Sequence, residues 1–307
     1  MTPTIKNVAI AGAGGNLGPS ILKALLDSNK FNVTILTRDA SSHTFPAGAT
    51  VKEVDYSSLD SLTQALQGQD ALVNTTGSFD PKIATRVVDA AVAAGVYRYV
   101  PPDFGIDPNL AHVPELPVFG IKGMTHKYLQ GKVRDHPGGG GGKFTWTIVS
   151  TGAFLDWALR NGFMGIDFAK KKITYHNDGE NDVPWSNLAD VGKAIVGLLL
   201  NPAETANRIV YVQTVHKSQK QMAALAKEAL GGEWQESTTD YDALYAECME
   251  SITKGIFSPE VMIPQIPYAC SKKKYAQPFV KNDNALLGIK ELSDEELKAL
   301  CKTVAAQ

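Results

Sequence analysis

The chain has little of what would mark a secreted, membrane-bound or nucleic-acid-binding protein. Cysteines number only three (Cys248, Cys270 and Cys301), widely spaced and without metal-ligand spacing. They read as reduced thiols rather than as a disulfide framework or a metal site. Neither sign of charge is in excess: 32 acidic residues stand against 30 basic ones, a net charge of −2. That removes the electrostatic case for nucleic acid or an anionic membrane as a partner. No stretch approaches the roughly 20 apolar residues of a bilayer span. The longest aliphatic run, Ala194 to Leu200, has the length of a core helix. No internal repeat is present. The first strand begins almost at once, which leaves no room for a signal or transit peptide and leads us to expect a cytoplasmic protein.

What the sequence does have is alternation. At 307 residues, 44% hydrophobic and 20% charged, it is long enough for one large domain or a domain with a smaller lobe. Apolar runs at Val8–Ala11, Val33–Leu36, Thr50–Val54, Ala71–Asn74, Tyr97–Val100 and Phe144–Val149 predict strands. Helical spacing separates them, at Pro19–Leu26, at Leu59, Leu62 and Leu66, and at Ile83–Ala94. Such alternation predicts an α/β protein, a Rossmann doubly wound parallel sheet with right-handed crossovers. Beyond residue 150 the pattern loosens. Helices are expected at Asp190–Leu200, Gln221–Leu230 and Leu292–Val304, and a strand at Arg208–Val212. The expected division is an NAD(P)-binding domain over 1–155 and a smaller substrate lobe over 156–307, partly interwoven. His136-Pro137 followed by Gly138 to Gly142 reads as a flexible surface loop, because a glycine run has too much chain entropy to hold regular structure.

The segment Gly12-Ala13-Gly14-Gly15-Asn16-Leu17-Gly18 lies directly after a predicted buried strand and directly before a predicted helix. Glycine permits the tight turn and close approach of a pyrophosphate, and the helix N-terminus offers free N–H groups. Gly12, Gly14, Gly15, Asn16, Leu17 and Gly18 are therefore candidate dinucleotide contacts. Cofactor choice is read about 20 residues later. There Thr37-Arg38 ends the second strand: an arginine can pair with the additional phosphate of NADPH, with Ser41 and Ser42 nearby as donors. Asp39 argues the other way, and Arg38 can also be read as a solvated surface residue. Thr76 and Gly77, in Gly77-Ser78-Phe79 after the fourth strand, are further candidate contacts. Asp55 either meets the adenine or caps a helix. Phe154, Trp157 and His176 are candidate pocket residues, His176 equally an ordinary exposed histidine.

With these residues in view, the chain resembles the NmrA-like, isoflavone-reductase-like branch of the atypical short-chain dehydrogenases, phenylcoumaran benzylic ether reductases included, and fungal members most. Gly12, Gly15 and Gly18 match its glycine pattern, and Tyr99-Val100-Pro101-Pro102-Asp103-Phe104-Gly105 resembles its strand-end Pro-Ser-Glu-Phe-Gly. Val118-Phe119-Gly120-Ile121-Lys122 falls where that family carries its lysine, and Ile148 to Phe154 looks like its following strand. The likeness runs through about residues 5 to 235. It implies NADPH-dependent reduction with Lys122 as general base, since a lysine desolvated beside a cofactor can accept a proton. Two positions depart: Pro102 replaces the family serine, and no second basic residue stands near Ala47.

A rival is Tyr128-Leu129-Gln130-Gly131-Lys132, which has the Tyr-x-x-x-Lys spacing of ordinary short-chain dehydrogenases but lies late on its helix. The expected function is an NADPH-dependent reductase of a small aromatic or conjugated secondary metabolite. The expected partners are a small-molecule substrate and no nucleic acid or membrane, in a monomer or homodimer. The alternatives are a dinucleotide-binding redox sensor without turnover, which Pro102 favours and Lys122 opposes, and a redox-neutral isomerase or cyclase.

Overall fold

Alternation along one strand organises the molecule. Val8 and Ile10 pack into one layer and Ala9 and Ala11 into the opposite one, as the two-residue period of a strand requires. The structure, a computed structural model, describes residues 4–77, 80–135 and 144–306. The glycine run and residues 78 and 79 lie outside the described residues. Six strands form in the first half: β1 (Asn7–Ala11), β2 (Asn32–Thr37), β3 (Ala49–Glu53), β4 (Ala71–Asn74), β5 (Arg98–Val100) and β6 (Thr145–Ser150). A seventh, Arg208–Tyr211, joins them from the second half, in the order Arg208–Tyr211, β6, β5, β4, β1, β2, β3. Every pairing in this sheet is parallel.

Helices cover both faces, which is why the central strands are apolar on each side. On one face lie α1 (Gly18–Asp27), through Ile21, Leu22 and Leu25, and the helix Leu188–Leu200, through Val191, Ile195 and Leu198. On the other lie α2 (Leu59–Leu66), α3 (Pro81–Ala93) and α4 (Pro117–Asp135), which bury Leu62, Leu66, Val87, Val88 and Leu129. Thus the closing strand of the sheet and half of one helical layer come from beyond residue 156, by way of Arg208–Tyr211 and Leu188–Leu200.

A third core is built around Trp185, Leu155, Ile173, Met222, Tyr268 and Leu297. It is held by two three-stranded sheets and by helices such as Gln219–Leu230 and Asp294–Ala305, each opened by a Ser–x–x–Gln or Ser–x–x–Glu capping box. Among the described residues, no helix is long and apolar enough to cross a membrane, and no group of His, Cys, Asp and Glu could hold a metal ion.

One buried charge ties the sheet to the second half. Arg98, in β5, is fully buried. Its Nε donates to Thr145 Oγ1 (2.9 Å), Nη1 to Thr147 Oγ1 (3.0 Å) and Thr205 Oγ1 (2.8 Å), and Nη2 to the Pro202 carbonyl (2.6 Å). Among the described residues no carboxylate pairs with it, and burial pulls its pKa down to about 10. The three hydroxyls pass their own protons to backbone carbonyls of Tyr97, Thr205, Leu198 and Asn201, so the network is closed. Replacing Arg98 by Met should cost about 3 kcal/mol of unfolding free energy, because four buried acceptors lose their donor. Urea unfolding of the two proteins measures this; a loss under about 0.5 kcal/mol would show that the network is dispensable.

Candidate functional site

The chain runs outward from β1 to β2 and β3, then returns to β4 on the other side of β1. A crevice opens at the carboxyl ends where that reversal occurs. The glycine loop leaves β1 there. Gly12 takes φ +82°, a left-handed conformation that L side chains rarely adopt, and a Cβ on it would lie 2.7 Å from Thr75 Oγ1. Gly18 is equally constrained, since a Cβ there would overlap the Gly12 carbonyl. Gly15 differs: a Cβ would meet nothing closer than Gly12 O at 3.4 Å. Its absence keeps space free on the crevice side. At the N-cap of α1, Leu17 has no side-chain acceptor to offer the first-turn N–H groups, so they suit an anionic group.

The first cavity, of about 410 Å³, is lined by Gly12, Gly14, Gly15, Thr37, Arg38, Thr76 and Gly77, with His43, Phe45, Tyr56 and Thr75. The residues present fit the phosphates and adenosine of a dinucleotide. Arg38 is exposed and makes no hydrogen bond or ion pair among the described residues. Asp39, by contrast, is engaged: its Oδ1 accepts from Ser41 N and Oγ at 2.7 Å each, which holds its carboxyl below the usual range. Ser42 Oγ donates to the Asp39 carbonyl at 2.8 Å. Both serine hydroxyls expected as donors to a phosphate are therefore occupied locally. Asp55 forms the same kind of turn with Ser57 (2.7 Å), beside Arg38 in a shallow depression, while Ser58 caps α2.

The second cavity, of about 490 Å³, continues from the first and shares Gly15, Thr75, Thr76 and Gly77 with it. Asn16, Leu17, Phe154 and Lys122 line it, so the structure brings these expected residues together. Lys122 sits on α4 with Nζ 3.4 Å from Asp103 Oδ1 and 5.6 Å from the Phe119 ring centroid. Asn74, Asp103 and His126 also face this chamber. Asn74 is buried, donating to Tyr99 Oη (3.1 Å) and accepting from Thr76 N (3.0 Å) and Oγ1 (2.7 Å). His126 stands one helical turn after Lys122, its ring edge-on to Trp146 at 4.9 Å. Burial lowers its pKa, with the Asp103 charge opposing. Sequence reading missed Asn74, Thr75, His43, Asp103 and His126. A polar residue closing the apolar run Ala71-Leu72-Val73 was the one available signal.

Two expected pocket residues are elsewhere. Trp157 is packed at the seam of two cores, its ring 5.2 Å from that of Phe163. His176 is buried in the lobe beside Tyr241 (4.4 Å between rings), lining a separate small cavity with Gln219 and Cys270. Burial pushes its pKa down to about 4, so the ring is neutral and the reading as an exposed histidine fails too. Tyr128 does not line the chamber either. Its hydroxyl donates to Asp89 Oδ1 (2.7 Å) on α3, where Lys132 Nζ also lies 2.7 Å from the same oxygen. Burial, reinforced by Asp89, raises the Tyr128 pKa.

The parallel sheet, the switch-point crevice and the glycine loop define a Rossmann-type protein with a chamber beside its nucleotide cleft. The chain belongs to the NmrA-like family, whose profile matches residues 4–300. It is 33% identical over 256 residues to oxidoreductase aprR of Aspergillus flavus, covering 82% of this chain and 83% of that one. It is 30% identical over 294 residues to oxidoreductase poxI of Penicillium oxalicum, covering 94% and 91%. Its fold superposes on a leucoanthocyanidin reductase–NADPH complex from Vitis vinifera with a TM-score of 0.76 at 18% identity, over 97% of this chain and 99% of that one.

The glycine geometry yields a test. Gly15→Val should fold with a melting temperature within about 3 °C of the parent, yet lose dinucleotide affinity by at least about a hundredfold, because its side chain enters the crevice rather than the core. Fluorescence titration with NADPH reads the second quantity. Retained affinity in a folded variant would remove the loop from the binding site.

Proposed function

We propose that this protein is an NADPH-dependent oxidoreductase that reduces a small aromatic or conjugated molecule, with Lys122 moving the proton. The observation that carries the reading is the continuity of the two cavities. The nucleotide cleft opens at Gly15 and Thr75–Gly77 straight into a largely apolar chamber holding Lys122. When bound, the cofactor supplies hydride. The chain supplies the rest: apolar walls from Val87, Ile121, Ile148 and Phe154 that exclude water, and an amine at the mouth of α4. Relatives named oxidoreductases, and a structural neighbour solved with NADPH, support the same reading. A chamber of this size around a lysine favours turnover over a dinucleotide sensor.

Arg38 supports NADPH over NADH, being a cation at the cleft with no internal partner among the described residues. NADPH should bind at least about tenfold more tightly than NADH, about 1.4 kcal/mol, and Arg38→Ala should abolish the difference. Parallel titrations with both cofactors decide this; equal affinities in the parent protein refute it.

Lys122→Ala should lower turnover roughly a hundredfold to ten-thousandfold, with NADPH affinity little changed. Tyr128→Phe should stay within about threefold of the parent, since its hydroxyl is committed to Asp89. Conjugated aromatic ketones screened with NADPH provide the assay. Loss of activity in the tyrosine variant alone would replace this mechanism by a tyrosine-based one.

A further inference from the structure

Asp103 is the most unusual polar residue in the chamber. Its side chain is only 9% exposed, yet Oδ2 has no hydrogen-bond partner among the described residues, and Oδ1 has only Lys122 Nζ at 3.4 Å. Turn aspartates elsewhere are satisfied by their own backbone. Asp39, Asp55, Asp107 and Asp240 each accept an N–H from the residue two positions on. Asp103 does not. Its own N–H donates to Pro101 O at 2.8 Å, and the Gly105 carbonyl two residues on accepts from Thr151 N and Gly152 N at 2.9 Å each, so this turn is fastened without the carboxylate. The carboxylate is thus directed into the chamber and left under-satisfied, which a buried anion tolerates poorly. The titratable groups facing it are Lys122 and, from one turn further along α4, His126.

We propose that Asp103 both positions Lys122 and selects the substrate. Oδ1 is the counter-charge that holds the Lys122 amine at the chamber wall, and Oδ2 accepts a hydrogen bond from an O–H or N–H of the bound molecule. The preferred substrate therefore carries a donor group within one hydrogen bond of the reacting oxygen that Lys122 serves. This rests on the reading of Lys122 as the proton-moving residue. The donor preference, however, is a binding property and can be measured without turnover.

The probes are a hydroxylated chalcone and its O-methyl ether, titrated by tryptophan fluorescence into the full-length protein loaded with NADP⁺. The parent should bind the hydroxylated compound at least about tenfold more tightly, because the ether leaves Oδ2 unpaired. Asp103→Ala should reduce that preference to within about twofold. Asp103→Asn keeps a neutral acceptor but loses the counter-charge. It should retain part of the preference while kcat falls at least about tenfold, a split that a purely structural residue would not produce. NADPH affinity should be unchanged in both variants. No preference in the parent, an intact preference in Asp103→Ala, or failure of both compounds to bind would each overturn the proposal. If Asp103→Ala does not fold, Asp103→Asn carries the test through the same two readings. A binding preference without NADPH consumption by any conjugated compound would sink the reductase reading and leave only the donor selection by Asp103 standing.

Discussion

The contact between Gly12 and Thr75 is the constraint on which the site depends. The backbone of the loop approaches the end of β4 so closely that no side chain fits at Gly12, and Thr75 Oγ1 fastens the approach by donating to the carbonyls of Ala11 (2.8 Å) and Gly12 (3.0 Å). Two neighbouring parallel strands are thereby clamped at their carboxyl ends, where the order of the sheet reverses. The consequence reaches both ways. On one side the clamp sets the start of α1, whose Gly18 packs against the Gly12 carbonyl. On the other it places Thr76 and Gly77 at the boundary shared by cleft and chamber, with Asn74 on the chamber side.

Two buried charges are treated differently, and the difference separates architecture from chemistry. Arg98 directs its guanidinium to hydroxyls and a carbonyl that are themselves engaged, so nothing remains to attract a ligand. Such a closed network fixes the position of β5 against β6 and the segment around Thr205. Asp103 lies just beyond the end of the same strand and has one loose ion pair and one free oxygen. Strand β5 therefore carries a satisfied charge at its start and an unsatisfied one past its end, where parallel sheets present their ligand sites.

The first half was legible because its signals are local and repeated. Apolar runs such as Val8–Ala11 and Ala71–Val73, buried on both faces, can be read as strands without knowing their neighbours, and the six expected strands form within a residue or two of their predicted ends. The glycine loop was legible for the same reason. The lobe was not. Strands such as Lys172–His176 and Asp182–Ser186 mix polar and apolar residues, and pair with segments far away in the chain. His176 and Trp157 illustrate the limit: their chemistry suits a pocket, but only tertiary packing decides which cavity a side chain reaches. Asp103 carries no signal of its own in the sequence, because its importance lies in a partner that its Oδ2 lacks among the described residues.

The position of the strand Arg208–Tyr211 in the large sheet has a consequence for how the chain is made. Synthesis proceeds from the N-terminus, and β6 emerges some sixty residues before the strand that covers its open edge. Through that interval the nascent sheet has a free parallel edge at Ile148 and Val149, and the apolar side of α1 still awaits the helix Leu188–Leu200. The large sheet therefore cannot be complete until Arg208–Tyr211 has been made, so the nucleotide half depends on chain that follows it. A ribosome pausing before residue 188 would display to chaperones the surfaces that the finished protein hides.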